Sequence, residues 1–139
     1  MNGKSEAEQL MGDLFAFAEK MLTQYGEFHP FGGYVDSAGR VVHVGVEGDV
    51  NPVPSREKFE MLKSMFSEIG RSGGAKLFGI AADVVVSSND GAKGDAVEFW
   101  LEHKDGYCAE VFIRYRILGG SVEFMDTTAQ RGMPMFFDS

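Results

Sequence analysis

Cysteine is almost absent from this chain of 139 residues, and that scarcity sets the first limits on what the protein can be. Cys108 stands alone, so no intramolecular disulfide can form. The three histidines show none of the spacings, such as His-x-x-x-His, that predict a metal site. A chain of this length buries roughly two-thirds of its unfolded surface, so it needs neither a disulfide nor a metal ion to stabilise its core. We therefore expect one domain spanning residues 1–139, with no metal and no cofactor.

Long apolar runs and clusters of basic residues are also lacking. No stretch is apolar enough to cross a membrane and no signal peptide is evident, which predicts a cytoplasmic protein of bacterial type. The 13 lysines and arginines stand against 21 aspartates and glutamates, a formal net charge of −8. Nucleic acids and anionic membranes need clustered cations, so neither is an expected partner. The negative charge favours solubility and also suits a basic protein partner.

Two segments carry helical periodicity. From Ser5 to Tyr25, apolar residues recur three and four positions apart and form one wide face, and Gly26 ends the pattern. A second, shorter seam predicts a helix from Ser55 to about Ile69.

A hairpin is predicted between the two helices. Residues 34–36 and 40–46 pair through a three-residue turn that ends in Gly39. The polar segments at 47–54 and 88–94 are predicted loops.

The longest patterned stretch, from Lys76 to Asp126, predicts three long strands and a shorter fourth. A three-residue turn ending in Gly106 and a two-residue Gly119-Gly120 turn both bring apolar residues opposite apolar residues. The residues expected to face the core are Phe78, Ile80, Ala82, Val84, Val86, Val97, Phe99, Leu101, His103, Ala109, Val111, Ile113, Tyr115 and Ile117.

The order helix, hairpin, helix, antiparallel meander predicts an α+β single domain with the helices packed on one face of the sheet. Residues 127–139 are predicted to form a C-terminal tail. This tail is strongly apolar from Met133 to Phe137, so it either folds back onto its own core or packs on a neighbouring chain.

The outer sheet face carries two aromatic residues, Trp100 and Phe112, that are diagonal neighbours in the predicted register. They stand among charged residues, which are Glu98, Glu102, Glu110, Arg114, Arg116 and Glu123. One interpretation is a solvated face with weak ion pairs. The other is a face covered by a partner, by a second copy or by the tail, with the aromatic pair as its anchor. Asp83 is expected on the same side.

The sequence offers little support for catalysis. Alternation sends Cys108 and His103 to opposite faces, which disfavours a nucleophile pair, and no glycine pair precedes a phosphate-loop Lys-Ser/Thr. Acid–base catalysis needs two carboxyl groups in a cleft, which a flat sheet face does not provide unless something covers it. An enzyme is therefore the less favoured hypothesis, and no catalytic residue is assigned.

The segment from Gly26 to Val41 contains Phe28-His29-Pro30-Phe31-Gly32-Gly33 and then Asp36-Ser37-Ala38-Gly39. It resembles small uncharacterised bacterial proteins in which an aromatic-x-Pro-Phe-Gly segment leads into an Asp-x-x-Gly hairpin turn after an N-terminal helix. The run Leu101–Tyr107, followed by Glu110-Val111-Phe112, is similar to their long hairpin. Such proteins look like the acidic single-domain partners found among immunity proteins that neutralise toxins. The shared motifs are structural turns and transfer no functional residues.

A second, looser likeness is to the small acidic chaperones of secretion systems, which usually dimerise. The element order departs from theirs, since no third helix follows the meander.

Two functional hypotheses follow. The first is a protein-binding domain, immunity-protein-like, that holds a protein partner or a second copy through the outer face or the tail. Its candidate residues are Trp100, Phe112, Glu98, Glu110, Arg114, Arg116, Met135 and Phe136. The alternative is a small-molecule-binding protein or small enzyme with a pocket between the first hairpin and the helices. The polar groups of that pocket would be His29, Asp36, Arg40 and His43.

Overall fold

A computed structural model describes residues 3–45, 55–87 and 91–137. Two helices, α1 (Gly3–Tyr25) and α2 (Ser55–Ser72), belong to this described part. Its strands are β1 (Phe31–Asp36), β2 (Val41–Gly45), β3 (Ala75–Ser87), β4 (Lys93–His103), β5 (Cys108–Leu118) and β6 (Ser121–Arg131). Val46, the predicted loop at 47–54 and the first part of the predicted loop at 88–94 lie outside the described residues.

The strands form one six-stranded antiparallel sheet in the order β2-β1-β3-β4-β5-β6. The first hairpin therefore joins the meander through the pairing of β1 with β3. This arrangement confirms the predicted α+β single domain with an antiparallel meander.

The two meander turns close with the predicted lengths. Phe99 lies opposite Val111 in the β4–β5 hairpin, and His103 N–H donates to the carbonyl of Tyr107 at 2.8 Å. Gly106 ends that turn at φ 106°, a left-handed conformation that side chains other than glycine avoid. The β5–β6 hairpin closes through the predicted Gly119-Gly120 turn, with both residues at positive φ.

Helix α1 covers one face of the sheet with a stripe of fully buried residues, which are Ala7, Leu10, Leu14, Ala18 and Leu22. They pack against buried residues of β3, β4 and β5, among them Leu77, Phe99 and Val111. The helix begins two residues earlier than predicted because Asp105, distant in sequence, caps it: Gly3 N–H donates to Asp105 Oδ2 at 3.0 Å. The helical spacing of apolar residues cannot predict a cap that comes from a residue distant in sequence.

Helix α2 lies on the opposite face, so the prediction that both helices pack on one face is wrong. Leu62 and Phe66 of α2 form a second core with Phe78 and Ile80 of β3. The residues that alternate with these in β3, Leu77 and others, belong to the α1 core. A central strand covered on both faces needs apolar residues at successive positions, and β3 has them.

The face assignment within β3 changes accordingly. Phe78 was expected to share a face with Phe99, but the register places Ala81 opposite Phe99 and so turns Phe78 towards α2. Asp83 lies on the α1 side rather than the outer side, where Tyr115 Oη donates to its Oδ1 at 2.6 Å. Burial raises the pKa of Asp83 above its usual value.

Strand β6 runs to Arg131, five residues beyond the predicted end at Asp126. The pairing with β5 shifts by one residue between Ile113 and Tyr115, so that Arg114 alone faces Met125 and Asp126, which marks a β-bulge in β6. The extra residue shifts which side chains face each side of the sheet. This break in the alternating pattern is why the sequence predicts an end of the strand at Asp126.

Candidate functional site

The candidate site lies on the face of the sheet that α2 covers only in part. Among the described elements, α2 contacts β1 and β3 on this face, which leaves β4 and β5 to other occupants. Alternation along these two strands places four partly exposed side chains together: Glu98, Trp100, Glu110 and Phe112. Glu98 lies directly opposite Phe112, and Trp100 lies opposite Glu110. We call these four residues the Glu98–Glu110 site.

Two carboxyl groups share a hydrogen bond at the centre of this site. Burial, the hydrogen bond to Glu110 and the charge of that neighbour together raise the pKa of Glu98 to about 8. A hydrogen bond between two carboxyl groups requires a proton on one of them, and the raised pKa of Glu98 favours the protonated form of that residue. The sheet therefore holds a proton at a position where a cation would also be stabilised.

Neighbouring side chains fix the orientation of the site. Gln130 of β6 donates from Nε2 to Glu110 Oε1 at 2.6 Å. The Trp100 indole N–H donates to Glu102 Oε1 at 3.2 Å, which holds the ring against the sheet. Both bonds reduce the rotamer freedom that binding would otherwise have to remove.

Arg114 lies next to the site on β5, opposite Ala96. Its Nε is buried and has no hydrogen-bond partner among the described residues. The guanidinium lies over Gly94, where a Cβ atom would approach Nη2 to 2.6 Å. The sequence placed Arg114 in this surface correctly, but it borders the acidic pair rather than neutralising it.

Arg116 belongs to a separate contact at the end of the hairpin. Its Nη2 lies 2.6 Å from Glu123 Oε1, and both side chains are about half exposed. This is the cross-strand pair predicted from the Gly119-Gly120 turn. Because the pair is self-contained and exposed, it adds little to stability and does not join the Glu98–Glu110 site.

The C-terminal tail folds back onto its own chain, which resolves the alternative that the sequence left open. Phe136 is 3% exposed and packs against Phe66 and Phe78, with ring centroids 5.8 Å and 5.1 Å apart. Its role is in the core, so it is not available as a partner-binding residue. Met133 and Met135 remain exposed, in a segment whose Gly132 lies against Trp100.

Glu102 holds this tail in place, and sequence analysis missed its role. The carboxylate is 1% exposed and accepts the backbone N–H groups of Met135, Phe136 and Phe137 at 2.7, 2.9 and 2.8 Å. Three backbone donors and the indole compensate the charge where water cannot. No local pattern distinguishes Glu102 from Glu98, since its donors lie more than thirty positions away.

The four residues of the alternative pocket are not brought together. Asp36 and Arg40 pair with each other at the hairpin turn, 3.2 Å apart. His29 precedes β1 and is exposed. His43 borders a cavity of the described part of the chain, which has a volume of about 140 Å³ and is otherwise lined by Phe17, Phe31, Gly32, Val44 and Gly45. Small-molecule sites start at about 300 Å³, so this cavity does not favour the alternative function.

A buried histidine joins α1 to the β4–β5 turn. His103 Nε2 lies 3.1 Å from Glu6 Oε1, and Asp105 N–H donates to His103 Nδ1 at 3.1 Å. With Nδ1 accepting, Nε2 carries the hydrogen that is donated to Glu6. Lys76 then holds the second oxygen of Glu6 at 2.8 Å. This network closes the end of the α1 core and leaves His103 6% exposed.

Cys108 is not positioned as a nucleophile. Burial, together with the nearby carboxylates of Glu102 and Glu110, raises the pKa of the Cys108 thiol to about 12. His103 lies on the opposite face of the sheet, as the sequence predicted.

In the described residues, no group of three or more His, Cys, Asp or Glu side chains is arranged to hold a metal ion. Neither described helix has the length and apolar character needed to cross a membrane.

Comparison of the whole chain with family models, with curated proteins and with solved structures gives no match.

Proposed function

We propose that the protein binds a basic protein partner through the Glu98–Glu110 site, in the manner of an immunity protein. The observation that supports this most directly is the placement of two carboxyl groups, Glu98 and Glu110, beside the aromatic residues Trp100 and Phe112 on adjacent strands, where burial and mutual repulsion raise the pKa of Glu98. Burial and the neighbouring Glu110 favour a proton on Glu98, and among the described residues no lysine or arginine pairs with either carboxyl group. A lysine or arginine side chain from a partner would take the place of the proton.

The chemistry of such an exchange is simple. An ammonium or guanidinium group placed between the carboxyl groups allows Glu98 to ionise and release its proton. The faces of Trp100 and Phe112 then add cation–π attraction, which grows as water is excluded. The partner's cation forms a charge-assisted hydrogen bond with the Glu98 carboxylate. No unpaired charge is left in the interface, because the proton leaves Glu98 as the cation binds.

The rest of the molecule fits a basic partner. The formal net charge of −8 accelerates association with a positively charged surface. Met133 and Met135 border the site with exposed, flexible apolar side chains, which adapt well to a partner surface. The proposal places the protein in the cytoplasm, where a single unpaired cysteine is usual.

Selection from a displayed peptide library tests the proposal. We expect the recovered peptides to be enriched in lysine or arginine. Calorimetric titration of one such peptide should show that Glu98→Gln weakens binding about tenfold or more, since glutamine cannot ionise. Binding to the unaltered protein should release a proton near neutral pH, visible as a dependence of the heat on the buffer.

Glu68→Gln is a matched control. It removes one carboxylate from the exposed surface of α2, where Glu68 forms a long ion pair with Arg71 at 3.9 Å. Its affinity for the peptide should stay within about twofold, because exposed pairs contribute little. Peptides without cations, or equal losses in Glu68→Gln and Glu98→Gln, would contradict the proposal.

A further inference from the structure

One edge of the sheet is formed by β6, an exposed strand of eleven residues. No described residue pairs with its outer side. Edge strands in soluble proteins are usually protected by lysine, by proline, by short length or by a covering loop. The bulge disturbs β6 only near Met125 and Asp126, so the segment Thr127–Arg131 is a regular strand with one charge, at its end.

The hydrogen bonds of β6 show which backbone groups are free. Gly132 N–H donates to the carbonyl of Cys108 at 3.1 Å. In an antiparallel pair, the residues that bond to the neighbouring strand alternate, so Gln130 and Thr128 also bond inward to β5. Residues 127, 129 and 131 therefore direct their N–H and C=O groups outward from the sheet.

We propose that this edge pairs with the same edge of a second copy, and that the two β6 strands run antiparallel about a twofold axis at Ala129. In this register Ala129 lies opposite its own symmetry mate, and Thr127 lies opposite Arg131 of the second copy. All three outward-facing residues are then paired, each pair exchanging two backbone hydrogen bonds. The result is one continuous sheet across both copies.

Side chains select this register over its neighbours. A shift that brought Arg131 opposite its own symmetry mate would place two like charges together, which is unfavourable. A shift towards the turn would run the pairing into the bulge at Met125. The register centred on Ala129 avoids both and puts the smallest side chain of the segment on the axis.

The same register accounts for two exposed methionines. Met133 is 81% exposed and Met125 is 40% exposed, at opposite ends of the pairing segment. Antiparallel pairing about Ala129 places the end of β6 that precedes Met133 in one copy beside the end that follows Met125 in the other, at both ends of the interface. The apolar surface covered there favours a second copy over an unrelated strand.

Solution mass as a function of concentration tests the dimer. Light scattering and sedimentation should show a concentration-dependent rise from 15.2 kDa towards twice that mass. Ala129→Pro should raise the dimer dissociation constant about tenfold or more, because it removes an outward N–H and no bond to β5. Ala129→Val, which keeps the N–H at the same position, should dimerise like the unaltered protein.

A charge exchange at the axis tests the register and does not depend on whether the proline variant folds. Ala129→Lys and Ala129→Glu place like charges opposite each other, so each alone should weaken the dimer about fivefold. An equal mixture of the two should restore association as a heterodimer. A protein that stays at 15.2 kDa at its highest soluble concentration, or a dimer that none of these variants alters, overturns the proposal.

Discussion

Replacing Glu98 with glutamine should make the protein more stable at alkaline pH, even though it removes the group proposed to bind a partner. Glutamine has the size of a protonated glutamic acid and cannot ionise. Burial and the neighbouring Glu110 raise the pKa of Glu98 from 4.5 to about 8, so the native state keeps a proton that the unfolded chain releases. The substitution removes that difference between the two states.

The sign and size of the effect follow from linkage. A raised native pKa gives stability that is fully present below pH 4.5 and is lost as the pH rises through about 8. At about 1.4 kcal/mol per pH unit, the upper limit of this loss is about 5 kcal/mol. Glu98 is partly exposed, and solvent screening reduces the expected loss to about 2 kcal/mol.

Urea unfolding followed by circular dichroism from pH 5 to pH 9 measures this loss. The free energies of unfolding of the two proteins should be close at pH 5, and Glu98→Gln should be about 2 kcal/mol more stable at pH 9. Glu110→Gln should flatten the pH dependence in part, since it removes the second cause of the raised pKa of Glu98. Parallel curves for Glu98→Gln and the unaltered protein would refute the assignment of the shared proton.

Two further predictions concern the tail. Glu102→Gln should reduce the free energy of unfolding by about 2–3 kcal/mol, because an amide leaves at least one of the backbone N–H groups at Met135, Phe136 and Phe137 without an acceptor. Glu123→Gln, which alters only an exposed pair, should change it by less than about 1 kcal/mol in the same urea titration. Cys108 should react with a thiol reagent at pH 8 about a hundredfold more slowly in the native protein than in urea, because burial raises its pKa and Gly132 of the tail lies against its sulfur. Equal native and unfolded rates would contradict the described packing of the tail.

The candidate site was predictable in its membership but not in its chemistry. Strand alternation and turn lengths alone place Glu98, Trp100, Glu110 and Phe112 on one face, as the structure has them. The shared proton depends on how deeply the two carboxyl groups are buried. Burial on this face depends in turn on segments from elsewhere in the chain, such as the tail, which packs against Trp100.

The position of α2 has a signal in the sequence, although a simple period-two alternation does not express it. Residues 77–82 read Leu-Phe-Gly-Ile-Ala-Ala, which is apolar at every position. Such a run is typical of a strand covered on both faces. The helices therefore had to lie on opposite sides of β3, although the sequence does not show which helix takes which side.

The sequence alone determined where each hairpin turns and which residues face one another, because local rules of backbone conformation are enough for both. A left-handed glycine at Gly106 and a Gly119-Gly120 pair allow few loop lengths, and a register error would mix apolar and charged faces. Only the tertiary structure decided that Glu102 binds the tail, that Asp105 caps α1 and that Asp83 meets Tyr115. Each of these contacts joins residues 30 or more positions apart, and their energy appears only when the sheet has brought them together.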